Sequence, residues 1–256
     1  MIDSVSLVTL ILLYFVTLVT CSIQVHARED IETGWHGCKG QDCVEAPFTF
    51  HTIGDSHAAF QVIDPSIFEQ ISIIKFNTQR HWLKGKLMST IGKDSDLLWI
   101  SWDTPNDIMM VVCGEVDIRG HAHRFVRNMG LEAYSVDLVG RYERSLRVVR
   151  EKNPNVAIWV YSIVPPTKYT IVESYRPEGS IEERVLYTQT VNQKLIEMCQ
   201  RNGFVYIDTY TDYALQDGTL DMSLSDQQVH IRKFSENTKR FVAEQITKHF
   251  DQIVKH

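Results

Sequence analysis

A chain of 256 residues, 44% hydrophobic and 23% charged, is long enough to bury one substantial core, so a single α/β domain is the default. The formal charge of -6, with Lys and Arg scattered along the sequence, leaves no basic footprint and excludes nucleic acid as an expected partner. No internal repeat or low-complexity tract interrupts the chain.

The N-terminus differs from the rest. From Ser4 to Val25 no residue is charged, and "VHA" at Val25 to Ala27 resembles the small-residue pattern before a signal-peptidase cut. Residues 1–27 therefore read as a signal peptide or as a membrane anchor. The anchor stays open because "MIDS" carries Asp3 without Lys or Arg, and the uncharged run is long enough to span a bilayer. Both alternatives place the domain in the secretory lumen or outside the cell, attached to a membrane if the segment is retained.

Residues 28–46 read as a polar linker and 47–256 as the folded domain. Export permits disulfides, and Cys38 and Cys43 flank "KGQD" in the polar stretch, where Gly40 lets the chain close on itself. They form a candidate local disulfide. Cys113 ends an apolar run and Cys199 falls on a helical apolar face, so both read as core thiols. No Cys/His spacing resembles a zinc site, and no metal is expected.

Within the domain, "FTFHTIG" alternates as a strand does, and "KLMSTIG" offers a short second strand. "DIMMVVCG", "NVAIWVYSIVPP" and "FVYIDTY" are apolar runs of the kind that buried parallel strands need. Helical spacing runs from about His123 to Arg150 through Val126, Met129, Ala133, Val136, Val139, Tyr142, Leu146 and Val149. It recurs from Ile181 to Gln200, with Ser180 as N-cap, and again from Ser235 through Phe241, Val242, Ile246, Phe250 and Ile253. Strands alternating with helices imply a parallel sheet covered on both faces, with ligands bound beyond the carboxyl ends of the strands.

At that edge the sequence supplies a nucleophile and its activators. A serine hydroxyl attacks poorly until a base takes its proton, and an imidazole does so best when a carboxylate fixes its tautomer. Ser56 follows the first strand in "TIGDSHAAF", and "LSDQQVHI" offers Asp226 and His230 in one loop. The order is Ser, Asp, His.

At these residues the sequence resembles the SGNH (GDSL-like) hydrolase superfamily. "GDSH" is similar to its first block and "SDQQVH" to its last, while "GEVDIRGH" resembles the GEIDCR-x-H third block of a branch associated with glycan-related contexts. "HWLKGKLMSTIG", "YSIVPPT" and "PEGSIEERVLYTQTVNQKLIEMC" are similar to the same branch, so the resemblance runs from Phe48 to Val254. It implies a flavodoxin-like three-layer α/β/α sandwich with a parallel, roughly five-stranded sheet. It also implies hydrolysis or transfer of acyl groups, commonly acetyl esters on carbohydrates or lipids, with no cofactor.

By block matching, Ser56 resembles the nucleophile, His230 the base and Asp226 its orienting partner. The oxyanion donors would be the Ser56 backbone N–H and Gly85, which stands in "LKGK" where the branch has "LGP". The third block's usual Asn is replaced by Val116, which cannot donate. Either the hole works with two donors, or Arg119 or His121 supplies the third, with Arg119 binding an anionic group or the oxyanion and oriented by Glu115 or Asp117; the alternative for Arg119 is a structural ion pair beneath the loop.

Two other residue sets carry less. His57 reads as a packing or substrate-edge residue, and the segment 165–179, with Tyr169, Tyr175 and Arg176, as a substrate lid or a surface crossover. "DSH" at Asp55 to His57 and "GHAH" at Gly120 to His123 resemble ligand motifs of calcineurin-like metallophosphoesterases, but the intermediate blocks of that family are absent. A non-enzymatic alternative is a glycan-binding or accessory module on the same fold, for which Val116 is the best support.

Overall fold

The computed structural model describes residues 32–37, 43–55, 57–58, 71, 74–83, 86–91, 105–168, 176–226, 229–231 and 234–255. The leader 1–27, Cys38, Ser56, Gly85, Tyr169 and Tyr175 lie outside the described residues. Among those described, no helix is long and apolar enough to cross a membrane.

Six strands form one sheet: β1 (Glu32–Gly37), β2 (Val44–Gly54), β3 (Ile74–Trp82), β4 (Ile108–Val112), β5 (Ala157–Tyr161) and β6 (Val205–Ile207), in the order β1-β3-β2-β4-β5-β6. The last five are parallel and β1 pairs antiparallel with β3. Numbered among themselves, the parallel strands run 2-1-3-4-5, the flavodoxin-like order. The chain reverses its direction of winding at β2, so the crevice between the ends of β2 and β4 is the topological switch point.

Central strands are buried on both faces because helices cover both. Ile53, Met109, Val111, Ile158 and Val160 face α2 (Leu131–Lys152) and α3 (Ile181–Asn202), meeting Leu138, Tyr142, Leu146, Val191 and Leu195. Their alternates Phe50, Ile108, Met110, Trp159 and Ile207 face α4 (Glu236–Val254), meeting Val242, Ile246 and Phe250. Each such apolar side chain removed from water contributes about 1.5–3 kcal/mol before chain entropy is subtracted.

Local chemistry sets the helix ends. Ser180 Oγ accepts from the Glu183 N–H at 3.2 Å while Glu183 Oε2 accepts from the Ser180 N–H at 2.7 Å, a complete capping box at the start of α3. Ser235 caps α4 through the Thr238 N–H at 3.0 Å.

Three features differ from the sequence expectation. The polar stretch read as a linker over 28–46 contains β1 and the start of β2. An edge strand pairs on one side only and needs no apolar run. The second strand is "IKFNTQRHW", whereas Met88 to Ile91 of "KLMSTIG" form a turn. Met88 and Ile91 are apolar because that turn packs into the core. The helix expected from His123 to Arg150 breaks at Gly130 (φ 85°) into α1 (His123–Met129) and α2. The break rotates the buried face, leaving Met129, Ala133 and Val136 exposed and burying Tyr134, Ser135 and Leu138.

Candidate active site

The turn after β2 is clamped by both neighbouring strands. A Cβ on Gly54 would lie 1.7 Å from the Val112 carbonyl oxygen, so only glycine lets β2 approach β4 this closely. The Asp55 N–H donates to that carbonyl at 3.2 Å, and the Leu83 N–H donates to the Gly54 carbonyl at 2.6 Å. Asp55 is fully buried, and its Oδ1 accepts from the His57 N–H at 2.9 Å and from His57 Nδ1–H at 3.1 Å. These contacts hold the residues on both sides of position 56.

The last block is a closed loop. Ser225 and Ile231 form an antiparallel bridge, and the Asp226 N–H donates to the His230 carbonyl at 2.9 Å. Asp226 Oδ2 accepts from His230 Nδ1–H at 2.8 Å, and Oδ1 accepts from the His230 N–H at 3.3 Å. A carboxylate on Nδ1 puts the basic lone pair on Nε2, the tautomer that a general base needs.

The first and last blocks meet through His57. Its Nε2–H donates to the Val229 carbonyl at 3.2 Å, and its ring centroid lies 5.3 Å from that of His230. Burial and the His57 charge lower the His230 pKa, against the opposing effect of Asp226. For His57 burial acts downward, yet the Asp55 charge and hydrogen bond, helped by Glu115 and the Val229 carbonyl, raise it overall.

The third block begins at Gly114 (φ 116°), where a Cβ would lie 2.7 Å from Ile163 Cγ1. One α-turn, Glu115–Asp117, runs into a π-helical turn, Ile118–Ala122, and then into α1. Such π turns recur at functional sites. Val116 is half-buried and brings no donor.

Of the two carboxylates expected to orient Arg119, the structure assigns Glu115: its oxygens accept from Arg119 Nε–H at 2.6 Å and Nη2–H at 3.2 Å. Asp117 instead accepts from the Met88 N–H at 2.7 Å and the Ser89 N–H at 3.4 Å, stapling the neighbouring turn. Burial pushes its carboxyl up to about 6 despite those bonds, with the Asp55 charge adding to the rise. His121 lies 3.5 Å from Arg124 through Nδ1, and His123 lies 3.4 Å from Glu183. Among the described residues no group of three or more His, Cys, Asp or Glu side chains could hold a metal ion.

Of the segment 165–179, whose residues 169–175 lie outside the described residues, Glu178 meets this block, its N–H donating to the Arg119 carbonyl at 2.8 Å; Arg176 is exposed. Arg184 was not singled out in the sequence. It is buried, donates to the Thr167 carbonyl at 3.1 Å, and interacts with the Glu115 charge. Its one legible sign is a charge on the apolar stripe of α3.

The cysteines divide as the redox argument requires. Cys43 is disulfide-bonded, and its expected partner Cys38 lies outside the described residues. Cys113 and Cys199 are buried free thiols whose pKa values burial drives up, that of Cys199 to about 12, so neither is a ready thiolate.

A second histidine network lies further down β2. His51 Nδ1 and His81 Nε2 share one hydrogen bond at 3.1 Å, His51 Nε2–H donates to Asp107 Oδ2 at 3.2 Å, and Asp107 Oδ1 accepts from the Thr49 N–H at 2.7 Å.

No protein-family model and no curated protein matches the chain. Among solved structures it is similar to a protein described as a platelet activating factor from Streptococcus pneumonia, with 16% identity and a TM-score of 0.53 over 81% of this chain and 85% of that one. It also matches a GDSL-like lipase from Bacteroides thetaiotaomicron VPI-5482, with 13% identity and a TM-score of 0.45 over 80% of this chain and 88% of that one. The chain has the fold of the first of these proteins. That fold is the three-layer α/β/α arrangement expected from the ordered blocks, with one antiparallel strand added at its edge.

Proposed function

We propose that the chain is a serine-dependent ester hydrolase. One observation carries this reading: Asp226 and His230 form an oriented dyad at 2.8 Å, and the residue after Ser56 packs on the His230 ring. In this reading Ser56 Oγ attacks the acyl carbonyl carbon as His230 Nε2 takes the hydroxyl proton. The tetrahedral oxyanion collapses, the leaving alcohol receives that proton from His230, and the acyl group stays on Ser56. Water, deprotonated by His230, then releases the carboxylic acid and restores the serine.

The Ser56 and Gly85 backbone N–H groups are the proposed oxyanion donors. Losing a third donor at Val116 removes about 3 kcal/mol of transition-state stabilisation, which a site of modest turnover tolerates. The bidentate contact of Arg119 with Glu115 supports the ion-pair role over direct donation to the oxyanion. The favoured substrates are O-acyl groups of carbohydrates or related small esters. A sugar hydroxyl replacing water as acceptor would make the same chemistry an acyl transfer. Action in the secretory lumen or outside the cell agrees with the disulfide at Cys43.

A second reading rests on Val116 alone: the fold retained as a glycan-binding or accessory protein. Labelling with a serine-directed fluorophosphonate separates the two. The hydrolase reading expects labelling that Ser56→Ala and His230→Ala abolish. A folded wild type that neither labels nor cleaves p-nitrophenyl acetate would favour the binding module.

A further inference from the structure

We propose that His57 is a fixed imidazolium that ties the nucleophile turn to the Asp226–His230 loop and sets how strong a base His230 is. The proposal rests on the serine-hydrolase reading and deepens it.

The geometry demands two protons on one ring. His57 Nδ1 faces Asp55 Oδ1 at 3.1 Å and Nε2 faces the Val229 carbonyl at 3.2 Å. Both atoms are pure acceptors here, and a neutral imidazole has only one N–H to offer. The doubly protonated ring satisfies both. Asp55 makes the same demand from its side: it is fully buried, its Oδ2 has no hydrogen-bond partner among the described residues, and His57 is the cation set against it. A buried carboxylate without a cation is strongly destabilising.

Burial disfavours the charge, and of the described groups that act on the ring all but one favour it. Asp55 comes from its own turn, Glu115 acts from the third-block turn, and the Val229 carbonyl comes from the last loop. The exception is His230, 5.3 Å away and held by Asp226. When His230 takes the Ser56 proton, two imidazolium rings stand side by side. That repulsion weakens His230 as a base and strengthens it as the acid that protonates the leaving alcohol. The enzyme therefore keeps its base deprotonated to a lower pH than an isolated Asp–His pair would.

The test compares the wild-type full chain with His57→Gln and His57→Ala. Gln keeps an N–H donor where Nε2 stood and removes the charge; Ala removes both. Nitrogen-15 histidine NMR is followed from pH 4 to 9, and kcat and KM for p-nitrophenyl acetate over the same range. We expect His57 to show two ring N–H groups at pH 7. In His57→Gln the His230 midpoint, and with it the acid limb of kcat, should move up by about one pH unit. In His57→Ala kcat should also fall about tenfold or more at its plateau, with little change in KM, as the loop loses its tether.

A neutral His57 at pH 7, or the same His230 midpoint in His57→Gln, overturns the proposal. If His57→Ala fails to fold, the Gln midpoint decides. If the wild type neither turns over the ester nor reacts with fluorophosphonate, the hydrolase reading fails, while the NMR result still decides the charge on His57.

Discussion

One histidine pair stands beyond the end of β2 and another bridges β2 and β3, and they differ in how many described carboxylates they receive. At the carboxyl edge, His57 and His230 stand 5.3 Å apart and each ring has its own aspartate, Asp55 and Asp226. Lower in the sheet, His51 and His81 stack at 5.4 Å, and among the described residues Asp107, bonded to the far nitrogen of His51, is the carboxylate that the pair receives. Burial, with the neighbouring His51, drives the His81 pKa down to about 4. Two carboxylates are what the upper pair needs to hold the one charged ring and the one oriented base proposed above. The lower pair joins β2, β3 and the start of β4; the upper pair joins the two loops that carry the proposed chemistry. Similar ring spacing thus goes with a buried cross-strand contact in one place and, in the proposed function, with the catalytic base in the other.

The largest effect expected from breaking this contrast is at His230. His230→Ala or Asp226→Asn should lower kcat roughly 1,000- to 10,000-fold on an activated ester while leaving the urea midpoint nearly unchanged. Asp107→Ala should do the reverse. It leaves the His51 N–H and the Thr49 N–H buried without their acceptor, so unfolding free energy in urea should fall by about 3 kcal/mol with residual activity retained.

Acid sharpens the same comparison. His81 is depressed in the folded state, so its contribution is fully present above its ordinary value of 6.5 and is lost as pH falls from 6.5 to about 4. The unfolded chain binds the extra proton in that window, and stability should drop by about 3 kcal/mol across it. Urea titrations at a series of pH values measure the slope, and His81→Gln should flatten it. The smallest effect is expected far from both pairs: Ser180→Ala removes the α3 cap, should cost about 1 kcal/mol, and should leave the pH–rate profile in place.

Several of these elements are legible in sequence because their cause is local. Ser180 and Glu183 stand three apart, and the apolar runs at "DIMMVVCG" and "NVAIWVYSIVPP" admit no solvent-facing strand. β3 escapes notice because its alternation of buried Ile74, Phe76 and Thr78 has only two apolar members and lapses at Arg80, and the break at Gly130 shifts a helical face that periodicity alone extends unbroken. The candidate site is legible as residue types in order: Ser56, Asp226, His230, with Val116 where a donor is expected. Which acid serves which base is not, since Glu115 and Asp117 are two residues apart and only packing sends one to Arg119 and the other to the turn at Met88.

By itself, then, the sequence determined the alternation of strands and helices, the capped ends and the chemistry available at the sheet edge, because those follow from spacing along the chain. Tertiary structure alone decided that His57 stands between the two blocks. Its neighbours Asp55 and Val229 are separated by most of the domain, and an imidazole's charge is set by whatever acceptors the fold places against each of its two nitrogens.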